Sequence, residues 1–318
     1  MRVLVTGAAG YVGRAVVYRL AEAGHEVTAL TQRPPEGAVR FPAGTDVVVA
    51  DIRDARRIGE IMAKGEYDGV CHLAAKTRVR ESLIDPLPYY AVNLHGTVNV
   101  LTAMEREADR RGLPARLVFA STGAIYGPGK SEPIREEQRV APASPYASSK
   151  LSAERAIAVR VASGELGAVS LRCFNAAGAT AEVGDTDATR LIPKALAVAD
   201  GRAPCLEVNG DGTTVRELTH VADLADAYLL ALTAAEPGSH EVFNVGSGIG
   251  VTVNDVIWAV QEVTGQKLAV LSRPAQNEPR VLIADSTRLR DRTRWEPARS
   301  TLRDIVTDAW KWARGHYG

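Results

Sequence analysis

Tyr146 and Lys150 stand four residues apart in Ser-Pro-Tyr-Ala-Ser-Ser-Lys, a spacing that puts a phenol and an ammonium on one face of a helix. A phenol titrates near ~10 in isolation and is a poor base at neutrality. A cation close by favours phenolate, so such a pair can make a base of tyrosine. The helix start is well marked, because Ser144 is a good N-cap and Pro145 suits the first helical position. The same spacing arises by chance on many amphipathic helices, so the pair needs company before it carries a function.

That company stands near the start of the chain. The apolar run Val3-Leu4-Val5 ends in Thr6-Gly7-Ala8-Ala9-Gly10-Tyr11-Val12-Gly13 and passes into Arg14-Ala15-Val16-Val17-Tyr18-Arg19-Leu20, which reads as strand, glycine turn and helix. Gly7 permits the tight turn, Gly10 lets the backbone approach a pyrophosphate, and Gly13 allows helix to pack closely on strand. The helix N-terminus adds N–H groups and positive dipole. Dinucleotide binding is predicted. The Gly-x-x-Gly-x-x-Gly spacing, together with Tyr-x-x-x-Lys, resembles the short-chain dehydrogenase/reductase superfamily.

These residues need a scaffold, and the hydrophobic pattern supplies one. Strands are predicted at 2–6, 26–31, 46–50, 68–73, 115–121 and 167–173, with helices near 11–23, 54–63, 86–112 and 146–163 between them. This alternation predicts an α/β fold, a doubly wound parallel Rossmann sheet over residues 1–175. Beyond it the pattern shortens: helices near 188–200, 221–233, 253–263 and 301–314, a strand at 242–245 and a loop at 209–216. Residues 176–318 are expected to form a smaller α/β substrate-binding lobe, parts of which, such as 215–248, pack back on the first domain. Ligands in such folds bind outside the carboxyl ends of the strands.

The 318 residues carry 38 basic and 38 acidic side chains, a balance that argues against nucleic acid as partner. No apolar run reaches membrane-spanning length and Met1 leads directly into a core strand, so a cytoplasmic protein without signal peptide is expected. Cys71, Cys173 and Cys205 are odd in number and widely spaced, which suits buried thiols, and the six histidines show no metal-ligand spacing.

The strand ends narrow the resemblance to the extended short-chain group of nucleotide-sugar 4-epimerases of the UDP-galactose type. It is carried by His72-Leu73-Ala74-Ala75, by Arg80-Glu81-Ser82, by Asp85 through Asn93, and by Phe119-Ala120-Ser121-Thr122-Gly123-Ala124-Ile125-Tyr126-Gly127. Leu171 through Gly178, Val215 through Ala225 and Phe243 through Gly248 continue it. The resemblance implies a bound NAD held by Gly7, Gly10, Tyr11, Val12, Gly13, Asp51, Ile52, Leu73, Ala74, Ala75, Asn93, Tyr146 and Lys150. It implies transient oxidation of the sugar at C4, with Tyr146 taking the hydroxyl proton, Lys150 lowering the phenol pKa, and Thr122 sharing the proton. Arg216 matches the arginine that binds the diphosphate and Asn175 the asparagine at the sugar-linked phosphate, with Arg190 or Arg280 as a second cation. A homodimer is also implied, pairing the helices near 86–112 and 146–163 as a four-helix bundle through Leu94, Val98, Leu101, Leu151, Ile157 and Val161.

Three departures keep alternatives open. Thr31-Gln32-Arg33 replaces the acidic residue that should hold the adenosine ribose, and Arg33 can accommodate a 2′-phosphate, so NADP stays open beside NAD. Ala275-Gln276-Asn277-Glu278 replaces an Arg-x-Gly-Asp segment, leaving Glu278 for the nucleotide ribose and Arg273 or Arg280 for the lost arginine. The loop Asn209 to Thr214 is short, which leaves room for other sugars. A 4,6- or 5,6-dehydratase begins with the same oxidation but, in the 4,6 enzymes, uses an Asp-Glu pair where this chain has Gly123-Ala124. A 4-ketoreductase and a catalytically silent NADP-binding sensor complete the alternatives.

Overall fold

The computed structural model describes residues 1–317 except 38, 129, 131, 163, 165 and 276–279. Its first half runs β1 (Arg2–Thr6), α1 (Tyr11–Glu22), β2 (Glu26–Thr31), β3 (Asp46–Val49), α2 (Ala55–Gly65), β4 (Gly69–His72), α3 (Val79–Ile84), α4 (Leu87–Tyr90), a π-helical segment (Ala91–His95), α5 (Gly96–Arg111), β5 (Ala115–Thr122), a 3₁₀ turn (Gly123–Tyr126), α6 (Pro145–Val161) and β6 (Leu166–Cys173). The second half runs β7 (Asn175–Ala177), α7 (Leu191–Ala199), β8 (Leu206–Asn209), β9 (Val215–His220), α8 (Val221–Ala234), β10 (His240–Val245), β11 (Gly250–Thr252), α9 (Val253–Thr264), β12 (Val270–Arg273), β13 (Val281–Leu282), α10 (Thr287–Thr293) and α11 (Leu302–Tyr317).

Seven parallel strands in the order β10-β6-β5-β4-β1-β2-β3 form the central sheet. The reversal of direction at β1 and β4 opens a crevice beyond their carboxyl ends, as in doubly wound dinucleotide folds. Strands covered by helices on both faces must be apolar throughout, and β1, β4, β5 and β6 are buried along nearly their whole length. One apolar cluster, with Val16, Val17 and Leu20 of α1 and Tyr228, Ala231 and Leu232 of α8, fills one face. The other face holds Ile58 and Met62 of α2, Leu101 and Met104 of α5, and Ile157 and Val161 of α6.

The predicted strands of the first half all form, within a residue or two of their predicted ends. The single helix predicted over 86–112 is instead α4, the π-helical segment and α5 in succession. The 242–245 strand begins at His240 and joins the central sheet beside β6, and α8 packs against α1, so residues 221–245 belong to the central layers. A separate sheet is centred on β9, flanked by β11, β13 and β7, and β8 pairs with β12. These short strands escaped sequence reading, as did α3 and α10.

The residues expected at a subunit interface are largely core. Leu101, Leu151, Ile157 and Val161 are all buried, because α5 and α6 turn that face to the sheet. Among the described residues, the large apolar side chains left outside on α3 to α6 are Val79, Leu83, Ile84, Leu87, Val98 and Val159. No helix among the described residues is long and apolar enough to cross a membrane.

Candidate active site

One cavity of about 1110 Å³ runs along the carboxyl ends of the central strands, from Gln32, Asp51 and Arg53 at one end to Asn175 and Arg216 at the other. The glycine turn forms its floor. Gly7 has φ +68°, and a Cβ there would lie 2.6 Å from the Ala74 nitrogen. A Cβ on Gly13 would lie 2.2 Å from the Gly7 carbonyl oxygen, so Gly13 packs on the turn itself and lets α1 begin directly beneath it. Helix α1 has no side-chain cap and no acidic residue in its first turn, which leaves its N–H groups and positive dipole for an anionic ligand. Tyr11 donates from its hydroxyl to the Gly178 carbonyl at 2.6 Å, tying the turn to the start of the second half. Val12, Ile52, Leu73, Ala74 and Ala75 line the same trough.

Beyond β2, the Asp51 carboxylate accepts from Gln32 Nε2 at 3.0 Å and from Arg53 Nη2 at 2.6 Å. The Arg53 guanidinium holds its pKa well below the usual range. Thr31 lines this end too, and its buried hydroxyl has no hydrogen-bond partner among the described residues. Arg33, expected to be available for a 2′-phosphate, is exposed and lies outside the cavity lining. A trough floored by glycine and rimmed by an unpartnered hydroxyl and a fixed carboxylate fits a dinucleotide.

Asn93, expected at the cofactor, is fully buried and does not line the cavity. Its amide nitrogen donates to Lys76 O and Ser149 Oγ, both at 3.0 Å, and its oxygen accepts from Lys76 N at 2.8 Å. It therefore pins the loop after β4 to α6. Lys76, in the 74–82 segment expected at the crevice, lines the cavity, ion-paired with Glu81 at 2.6 Å and 5.3 Å from the Tyr89 ring centre.

Helix α6 starts as predicted: Ser144 caps it by accepting from Ala147 N at 3.2 Å, with Pro145 in the first turn. It carries Tyr146 and Lys150 into the cavity wall opposite the end of β5. Thr122 shares the cavity wall with the Tyr146 phenol and favours phenolate, but burial outweighs this and pushes the phenol up. Its ring meets that of Tyr89 edge to face, with centres 6.4 Å apart. The Lys150 ammonium sits 3.9 Å from the Phe119 ring centre, and burial pushes it down to about 7. Thr122 Oγ1 also accepts from Ala124 N at 3.2 Å, so the hydroxyl is held in place at the strand end. Cys173 lines the wall beside them, its thiol hydrogen-bonded to Tyr228 and pushed up to about 12 by burial.

At the far end, Arg216 enters the lining from β9, its Nη1 donating to the Val215 carbonyl at 2.9 Å. Asn175 is beside it, donating to the Glu217 carbonyl at 3.0 Å. Arg190 lines the cavity but is engaged by Asp185 at 3.0 Å and Asp187 at 3.8 Å, so its charge is largely matched within the protein. Arg280 and Arg273 lie outside the lining, the latter paired with Glu207. Glu278 lies outside the described residues. Asp185 and Trp312 also line this region. No local pattern marks them, because each arrives from a distant part of the chain.

Comparison with known proteins adds an independent line. Residues 3–246 match the model of the NAD dependent epimerase/dehydratase family. The chain is 39% identical to a UDP-glucose 4-epimerase of Streptomyces lividans, over 98% of this chain and 96% of that one. A crystal structure of the UDP-glucose 4-epimerase of Stenotrophomonas maltophila, with bound NAD and formylated UDP-arabinopyranose, superposes with TM-score 0.91 at 32% identity, covering 99% of this chain and 98% of that one. The Brucella ovis UDP-glucose 4-epimerase, in complex with NAD, gives TM-score 0.89 at 33% identity, covering 98% and 97%.

Proposed function

Since the chain belongs to the NAD-dependent epimerase/dehydratase family, we propose that it is a nucleotide-sugar 4-epimerase of the UDP-glucose/UDP-galactose type that works with tightly held NAD. The observation that carries this reading is the placement of Tyr146, Lys150 and Thr122 together in the wall of a cavity whose floor is the glycine turn. NAD, when bound, supplies reversible hydride acceptance at the sugar C4. Gly7, Gly10, Tyr11, Val12 and Gly13 would hold its pyrophosphate, Asp51 and Ile52 its adenosine end, and Lys150 its nicotinamide end. Tyr146 takes the proton from the C4 hydroxyl, and Thr122 holds the sugar oxygen and relays that proton. The keto sugar turns over in a cavity wide enough to present either face, and Tyr146 returns the proton. No net redox change results. Gly123 and Ala124 follow Thr122 in the lining, which gives a dehydratase no acid pair at that place.

In this reading Arg216 grips the diphosphate and Asn175 the sugar-linked phosphate. Arg216→Ala is expected to raise KM for the nucleotide sugar roughly ten- to hundredfold, about 1.5–3 kcal/mol, with little change in kcat. Steady-state kinetics would show this, and an unchanged KM removes the assignment. The reading also places a homodimer in the cytoplasm, the exposed Leu83, Ile84, Leu87, Val98 and Val159 being paired across a two-fold axis. A Leu87→Asp, Val159→Asp double variant should sediment as a monomer where the parent sediments as a dimer. A dimer that survives both changes uses another surface.

The decisive test of the activity is incubation with a panel of UDP- and dTDP-sugars, reading the configuration at C4 by NMR. Interconversion of UDP-glucose and UDP-galactose without added reductant is expected. A panel left unchanged, with and without added NAD, would overturn the proposal.

A further inference from the structure

One turn beyond Lys150 on the same face of α6 stands Glu154, almost fully buried and outside the cavity lining. Its carboxylate accepts a short hydrogen bond from Ser121 Oγ at the end of β5. It also takes two from Arg172 on β6, Nε at 3.2 Å and Nη2 at 2.9 Å. Arg172 passes the chain of bonds on to the Tyr126 hydroxyl at 2.8 Å, and that hydroxyl to Asn244 Oδ1 on β10 at 2.7 Å. A buried polar cluster of this kind is expensive unless every member is satisfied, and here it joins the catalytic helix to three strands. Ser121 adjoins Thr122, so the anchor lies next to the hydroxyl that meets Tyr146.

The groups that face Lys150 from each packed element are few. From β4 comes His72, whose nitrogens bond Thr6 and Thr97 and whose pKa is pushed down to about 3, leaving it neutral. From β5 comes the Phe119 ring, and from β6 the protonated Cys173 thiol. Glu154 is the largest influence opposing burial of the ammonium. Its own surroundings are Ser121, Arg172 and His240, the last pushed down by burial and hydrogen-bonded to Ser170 at 2.8 Å.

We propose that Glu154 is a positioning residue of this site: clamped by Ser121 and Arg172, its carboxylate fixes α6 against β5 and keeps Lys150 in its ammonium form. The inference rests on the roles proposed above for Tyr146 and Lys150. The alkaline limb of kcat/KM reports loss of the proton that the Tyr146–Lys150 pair retains. Lys150 is charged below its pKa, so removing a nearby anion lowers that pKa and brings the loss to lower pH.

Glu154→Gln keeps the size and an acceptor for Ser121 but removes the charge. Its alkaline limb should move down by about one unit or more. Activity at pH 8 then falls roughly tenfold relative to the parent while activity at pH 5 is largely retained. Glu154→Asp, which keeps the charge, should restore the limb. Arg172→Gln removes the competing cation and should move the limb the opposite way, which keeps the test open if Glu154→Gln fails to fold by circular dichroism. A uniform loss at every pH, or a limb unmoved in Glu154→Gln and Arg172→Gln alike, overturns the proposal. A parent enzyme that turns over with no alkaline limb at all strikes at Lys150 itself and takes this inference with it, whereas a parent that does not epimerise strikes at the activity.

Discussion

Tyr146→Phe is expected to lower turnover by about 10²–10⁴-fold while leaving fold and bound dinucleotide intact. The substitution removes one oxygen. The edge-to-face contact with Tyr89 needs only the ring and survives. Thr122 loses the phenol but keeps the Ala124 N–H, so no buried hydroxyl is left stranded. A purely structural tyrosine at this place would change the melting temperature and spare the rate. Here the reverse is expected: a melt close to the parent's, normal dinucleotide content in the purified protein, and turnover that persists only at a trace. Because burial holds the phenol up, forming the phenolate that takes the C4 hydroxyl proton depends on the groups that offset burial, Thr122 first among them. Undiminished interconversion would remove Tyr146 from its role, whatever the glycine turn binds.

Gly7→Ala should open the dinucleotide end of the cavity with a single added methyl. At φ +68° an alanine already sits in a region that costs roughly 1–2 kcal/mol. Its Cβ would also meet the Ala74 nitrogen at 2.6 Å and the Leu73 carbonyl carbon at 2.7 Å, both backbone atoms that cannot swing aside. The turn and the end of β4 must separate, and the floor of the cavity opens. A destabilisation on the order of 3 kcal/mol and loss of dinucleotide during purification are expected. Gly24→Ala is the control. Its φ is +80° but nothing lies within 4 Å of the added Cβ, so it should suffer only the backbone strain and retain the dinucleotide. Calorimetry with nucleotide analysis of the boiled supernatant separates the two, and equal effects would show that backbone strain alone decides.

The sequence marked the first half well because each central strand is a short, wholly apolar run bounded by turn residues, a pattern that a buried parallel sheet requires. Tyr146, Lys150, Thr122 and the glycines were legible for a similar reason: each is fixed by local chemistry at a strand end or a helix start. What stayed hidden depends on partners far along the chain. Strand β9 reads Val215-Arg216-Glu217-Leu218-Thr219-His220, and its buried Glu217, Thr219 and His220 break any simple alternation. Glu217 is tolerated there because its carboxylate accepts the Ala284 N–H at 2.5 Å, a contact sixty-seven residues away. Asn93 shows the converse case, since its motif suggested a ligand contact while the structure shows its amide bonded to Lys76 and Ser149. The electrostatics were also beyond reach: spacing put Lys150 near Tyr146, but only packing revealed that the ammonium rests on Phe119 and faces Glu154.

The seating of β10 beside β6, with α8 across α1, has a consequence for how the polypeptide can be divided. A fragment stopping after β6 would leave a naked row of amide and carbonyl groups along that strand, and the apolar side of α1 would face water. Such a piece would be prone to stick to its own kind. The half that lines the dinucleotide end thus becomes whole only after some seventy further residues have been made, among them β9, which bears Arg216, so the elements at both ends of the cavity are interleaved along the chain.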